Sequence, residues 1–312
     1  MRILVVGIGA LGSVYSCLLK SQGHYVAGLD RAEIISDIKR DGVRVTGIWG
    51  DHKAHLDEQV FAIDQLQSRG FDLVILTVKS FDTERMTAQL KRVIGPHTYL
   101  LLAQNGYGNY DAAALSIPEE NLILGRVIFG AETTDSGASK VTVIADDVII
   151  GSPKKLIADE VMEGFAQFFR DAGIPTRASD QVMKYVWGKI IYNSALNSLG
   201  AILEVNYGKL AEIDESRLLM NSIVNEIFQV MTALYQETLW PNAEAYLEDF
   251  YSQMIPSTAA HHPSMLQDIQ RGRRTEIDAL NGAIVKLGKK MGVSTPVNEV
   301  ITALVKAKEQ LA

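Results

Sequence analysis

With 312 residues, 47% of them hydrophobic and 21% charged, the chain is long enough for two ordinary cores and too apolar for disorder. A net charge of −7 argues against a nucleic-acid partner, and no run approaches the roughly 18 apolar residues of a bilayer span. The single cysteine, Cys17, excludes a disulfide framework or a cysteine metal cluster, and a first strand at Arg2 with no leader before it fits a cytoplasmic protein.

The first apolar run, residues 2–6, reads as a strand and leads through Gly7-Ile8-Gly9-Ala10-Leu11-Gly12 into a helical stretch ending at Gln22. A second strand occupies residues 25–29, strands follow at 73–78 and 99–102, and a helix starts near Thr83. This alternation over residues 1–120 marks βαβ units and a parallel sheet. From 123 to 150 the texture changes to strands broken at Thr134-Asp135-Ser136-Gly137 and Ala145-Asp146-Asp147, which read as hairpin turns on a mixed sheet edge. After Pro175 the pattern is helical, with amphipathic stretches at 181–203, 213–238, 264–290 and 296–310. The expected architecture is therefore an α/β N-terminal domain over 1–177 followed by an all-α domain over 178–312.

The glycine run has the spacing of a dinucleotide-binding loop of Rossmann type. Gly7 permits the tight turn, Gly9 lets backbone approach a pyrophosphate, Gly12 lets helix and strand pack closely, and the N–H groups from Ala10 and Leu11 onward face the phosphates. Two cofactor signals conflict at the end of the second strand. Asp30 stands where an acid binds the ribose hydroxyls of NADH, while Arg31 beside it suits the 2′-phosphate of NADPH. Lys79 and Asn105 each follow a strand at the edge where such sheets bind ligands; an exposed strand-end lysine and a turn asparagine are their plainer readings.

In the second half, Lys189, Asn193 and Asn197 are four residues apart on an otherwise apolar helix, so they form one slowly drifting stripe facing either solvent or a polar cavity. Short amides are poor helix formers without a hydrogen-bonding task, which favours the cavity. Ser264 with Gln267 reads as a capping box, and Glu276 among Arg273, Arg274 and Asp278 reads by spacing as a solvated charge run. If 264–276 were one helix, Ser264 and Glu276 would be about 18 Å apart, too far for one small acid to touch both. The six histidines show no metal-ligand spacing, so no metal site is expected.

Taken together, GIGALG at Gly7, VKS at Lys79, QNGYG at Asn105, WGKIIYNSALNSLGAI from Trp187 and SMLQDIQRGRRTEIDALNG from Ser264 resemble the ketopantoate reductases (2-dehydropantoate 2-reductases) over essentially the whole chain. The resemblance implies a Rossmann domain joined to a helical one and reduction of ketopantoate by NADPH on the way to pantothenate. It implies Lys189 as general acid, Asn193, Asn197 and Ser264 as substrate ligands, and Glu276 as organiser of the nicotinamide and lysine end. It also implies Lys79 and Asn105 along the cofactor and Arg31 on the 2′-phosphate. Asp30 departs from the uncharged residue common in NADPH users and keeps NADH open, and Tyr207 replaces a site asparagine of some members. A dehydrogenase for another 2-keto or 3-hydroxy acid and a non-catalytic dinucleotide sensor are the alternatives, and a homodimer is allowed.

Overall fold

The computed structural model describes residues 1–312. The chain divides into two compact units, Met1–Gln104 with Asn109–Val182, and Met183–Ala312 with the short segment Asn105–Gly108. The sequence placed the divide at 177/178; the last strand of the first unit ends at Ala178 and the long helix after it starts at Val182.

The first unit is an α/β unit whose central strands are apolar runs buried on both faces, as a parallel sheet demands. Its elements are β1 (Arg2–Val6), α1 (Ala10–Ser21), β2 (Tyr25–Leu29), α2 (Ala32–Asp41), β3 (Val43–Gly47), β4 (His52–Ala54), β5 (Glu58–Val60), β6 (Leu73–Leu76), α3 (Thr83–Leu90), β7 (Tyr99–Leu102), α4 (Asn109–Ala114), β8 (Leu122–Arg126), β9 (Phe129–Asp135), β10 (Ala138–Ile144), β11 (Val148–Gly151), α5 (Asp159–Asp171) and β12 (Thr176–Ala178). Eight strands form one sheet in the order β12-β11-β8-β7-β6-β1-β2-β5. Only β8 and β11 in it run antiparallel. Val6 lies opposite Leu29 on one side and Leu76 on the other, so β1, β2 and β6 end level. Their C-terminal turns, carrying Gly7, Asp30 and Thr77, therefore share one edge of the sheet.

A second sheet, in the order β4-β3-β10-β9, was not foreseen from sequence, because β4 is only three residues long and β3 pairs with β10 far along the chain. One expected hairpin is present: β9 and β10 pair antiparallel across Ser136-Gly137, with Gly137 at φ +70°. The other is corrected. Residues 145–147 link β10 to β11, which lie in different sheets, and the segment has no glycine to take a left-handed turn. Its Asp146 instead accepts a hydrogen bond from the buried Arg126 guanidinium at 2.7 Å.

The second unit is all-helical: α6 (Val182–Leu203), α7 (Tyr207–Glu212), α8 (Asp214–Ala233), α9 (Ala243–Asp249), α10 (Ile255–Thr258), α11 (Ser264–Gln270), α12 (Asn281–Met291) and α13 (Pro296–Leu311). A helix apolar on all sides belongs inside a bundle. Helix α6 comes close to that condition apart from its polar stripe, with Trp187, Ile190, Ile191, Ala195 and Leu196 fully buried. Between α9 and α10 a π-helical turn spans Phe250–Met254. The wider turn lets Tyr246, Phe250 and Ile255, spaced by four and then five residues, all face the core. The single stretch expected over 264–290 is two helices, broken where Gly272 takes φ +61°.

The closest packing in the first unit is at Gly12, where an added Cβ would lie 1.9 Å from the Gly7 carbonyl oxygen and 2.9 Å from Thr77 Oγ1. Gly12→Ala is expected to cost about 1–3 kcal/mol, read as a lowered Tm; an unchanged Tm would contradict this packing.

Candidate active site

The glycine loop is built by its neighbours. Gly7 adopts φ +89°, and a Cβ on it would strike Val78 at 2.8 Å. Thr77 donates its hydroxyl to the carbonyls of Val6 and Gly7, holding the turn from the adjacent strand end. Thr77 escaped the sequence reading; its only signal is its place directly after β6. A Cβ on Gly9 would meet nothing within 4 Å. Helix α1, opening with Ala10 and Leu11, has no side-chain cap and no acid in its first turn. Its N–H groups thus suit an anion, and the loop fits the pyrophosphate of a dinucleotide.

Asp30 and Arg31 point to different tasks. The Asp30 carboxylate accepts the N–H of Ile8, inside the glycine loop, and the N–H of Arg31 at 2.7 Å. Only 14% of the Asp30 side chain is exposed, against 64% for Arg31, whose guanidinium makes long ion contacts of 3.8 Å to Asp30 and 4.0 Å to Glu33. Lys79 is partly buried in the turn after β6. Cys17 is plain core, its thiol pushed up to about 11 by burial.

On α6 the stripe does not face solvent: Asn193 is 8% and Asn197 5% exposed. Lys189 Nζ donates to Asn105 Oδ1 at 2.6 Å. Asn105 is presented by a segment with a strict backbone requirement. Gly106 has φ +88°, its Cβ would lie 2.6 Å from that of Ala279, and the Tyr107 N–H donates to the Ala279 carbonyl at 2.7 Å. One turn along from Lys189 on the same face, Asn193 is more than nine-tenths buried.

Asn197 is fully engaged with α11. Its Oδ1 accepts the Met265 N–H at 3.0 Å and its Nδ2 donates to Ser264 Oγ at 3.0 Å. This corrects the capping box expected at Ser264 and Gln267: the N-cap position is Pro263, without a side-chain cap of its own, and the cap is supplied by Asn197 of α6. The chain after α11 turns at Gly272, so Ser264 and Glu276 are not the two ends of one helix. Glu276 is also no solvated charge. It is 9% exposed while Arg273, Arg274 and Asp278 lie outside, because the apolar Ile277 and Ala279 beside it enter the core. Its turn leads directly to Ala279, the residue against which the Asn105 segment docks. Tyr192 precedes Asn193 on α6; burial pushes its hydroxyl up to about 12, and the group is bonded to Thr258 Oγ1.

Asn197→Ala removes both bonds to α11, and the expected cost is about 1–3 kcal/mol, read by denaturant unfolding through the buried Trp187; full wild-type stability would show that α11 is capped by other means.

Comparison with known proteins agrees with this layout. The family model "Ketopantoate reductase PanE/ApbA" matches residues 3–155, and "Ketopantoate reductase PanE/ApbA C terminal" matches 181–309. A 2-dehydropantoate 2-reductase of Aquifex aeolicus is 48% identical over 99% of this chain and 97% of its own. Among solved structures, D-mandelate dehydrogenase with NADH and anilino(oxo)acetate superposes with a TM-score of 0.89 at 29% identity, covering 100% of this chain and 99% of that one. A PanE/ApbA family ketopantoate reductase from Ralstonia eutropha JMP134 gives 0.86 at 28%, with 100% and 99% covered. With both halves matched by its models and a relative nearly half identical along the whole length, the chain belongs to the ketopantoate reductase family.

Proposed function

We propose that this chain reduces 2-dehydropantoate to pantoate with NADPH, in the synthesis of pantothenate and coenzyme A. The observation that carries the reading is the Lys189 ammonium held 2.6 Å from Asn105 Oδ1, with the buried Asn193 one turn away. The 48% identical relative named for this reaction supports the substrate. A cytoplasmic location belongs to the same reading and is supported by the single, buried cysteine.

Bound nicotinamide supplies a hydride to the ketone carbon. Lys189 polarises the carbonyl and gives its proton to the oxygen on which negative charge develops. Asn105 Oδ1, an acceptor only, keeps the ammonium directed. Asn193 both donates and accepts, and so suits a hydroxyl and a carboxylate oxygen of the substrate. Ser264 Oγ accepts from Asn197 and keeps its own proton to donate to a substrate carboxylate. Glu276 organises the nicotinamide and lysine end. The backbone of Gly7, Gly9, Ala10, Leu11 and Gly12 cradles the pyrophosphate, with Lys79 beside the cofactor. NADPH is preferred because Asp30 is occupied by two backbone N–H groups, which leaves Arg31 to make a bidentate contact with the 2′-phosphate.

A second reading, NADH-dependent reduction of another 2-keto acid, is favoured by one observation: the match to D-mandelate dehydrogenase with NADH. Turnover of NADPH and NADH over a panel of 2-keto acids separates the two. The proposal expects the highest kcat/KM for 2-dehydropantoate with NADPH, and no turnover of 2-dehydropantoate with either cofactor would defeat it.

Two substitutions follow. Lys189→Ala is expected to lower kcat/KM by about 10² to 10⁴ with NADPH affinity kept, and wild-type turnover would remove Lys189 from the mechanism. Arg31→Ala is expected to raise the KM for NADPH by roughly 10- to 100-fold, the worth of a charge-assisted contact, with little change for NADH. Equal effects on both cofactors would place the 2′-phosphate elsewhere.

A further inference from the structure

The helical unit contains a buried polar chain that the mechanism above does not use. It begins at Glu226 on α8, whose Oε1 accepts the Val297 N–H at 2.8 Å and whose Oε2 accepts the Asn298 N–H at 3.0 Å, so the carboxylate caps the first turn of α13. Oε2 also accepts Asn298 Nδ2 at 2.7 Å. Asn298 Oδ1 accepts from Asn281 Nδ2 at 3.0 Å, and the same Nδ2 donates to the Ser194 carbonyl of α6 at 3.1 Å. Asn281 Oδ1 accepts from Ser198 Oγ at 2.5 Å. Ser194, Ser198, Asn281 and Asn298 are 0% exposed and Glu226 is 8%.

The sense of every bond follows from one end. A carboxylate accepts only, so Asn298 must offer it the NH₂ side of its amide and turn its oxygen to Asn281. Asn281 must then present its own NH₂, which leaves its oxygen for the Ser198 hydroxyl. The chain ends on α6 at Ser194 and Ser198, each one residue and about 100° round the helix from Asn193 and Asn197. Apolar packing holds α6 in the bundle without specifying its rotation, whereas a hydrogen bond to one of its carbonyls and another from one of its hydroxyls do. Apolar side chains of similar shape in these places would serve stability as well, since exchanging both partners of a buried hydrogen bond for apolar groups is often neutral. Four buried polar side chains in line are better accounted for by orientation.

We propose that the Glu226–Asn298–Asn281–Ser198 chain pins residues 193–198 of α6, so that Asn281 and Ser198 are positioning residues for Asn193, the amide assigned to the substrate, and for Asn197, which holds Ser264. Lys189 lies more than a turn away and is held separately by Asn105, so the chain governs substrate affinity and leaves proton donation alone. The inference rests on the assignment of Asn193 and Ser264 to the substrate, and its test has one arm that does not. In Asn281→Leu the KM for 2-dehydropantoate rises about tenfold, in Ser198→Ala by a few fold, while the NADPH KM and the pH profile of kcat stay within about twofold. Hydrogen–deuterium exchange of residues 193–198 speeds up in both variants, without a matching rise in the apolar segment of α8. Ser198→Ala removes one hydroxyl and stands in if Asn281→Leu does not fold. Wild-type exchange over 193–198 overturns the pinning, as does a keto-acid KM that rises no more than the NADPH KM. A wild-type protein that reduces no keto acid defeats the assigned reaction, and the exchange arm still decides the pinning.

Discussion

A lysine and two asparagines on the central helix of a bundle impose a condition that the surrounding helices must meet. Burying an amide without a partner costs about 1–3 kcal/mol, and an ammonium costs more, so each polar group on α6 needs an acceptor, a donor or a ligand. Lys189 has Asn105 Oδ1, and Asn197 has Ser264 and the Met265 N–H. Asn193 lies buried between them on the same face of α6.

In the α/β unit the corresponding constraint is the level ending of β1, β2 and β6. It brings the Asp30 carboxylate within reach of the Ile8 N–H and the Thr77 hydroxyl within reach of the Gly7 carbonyl. Asp30 thereby becomes part of the glycine loop's scaffold, with Arg31 beside it mostly in solvent. The adjacent acid and base that conflict in sequence thus differ in surroundings, the acid bonded to backbone and the base mostly in solvent.

Much of this was legible in the residues. The alternation to residue 120 and the helical texture after 175 carry the two architectures, and GIGALG with its flanking strand and helix carries the loop, because those patterns are local. The four-residue spacing of Lys189, Asn193 and Asn197 was enough to infer a shared face. The β3–β4–β9–β10 sheet was missed because its two local pairs are joined only through β3 and β10, which meet across nearly a hundred residues. The capping box at Ser264 misled because its true cap comes from Asn197, far away in sequence. Glu276 looked solvated because its charged neighbours are, and only the core placement of Ile277 and Ala279 reveals otherwise. The Asn281–Asn298–Glu226 chain has no local pattern at all.

The pairing of Lys189 with Asn105 is tested most directly by a double-mutant cycle on kcat/KM, using Lys189→Ala, Asn105→Ala and the double variant. If Asn105 acts by directing the ammonium, the double variant falls no further than Lys189→Ala alone, and the coupling between the two sites is of the order of 1–3 kcal/mol. Strictly additive losses would show that the two residues serve the reaction independently, and would contradict the lysine site described here.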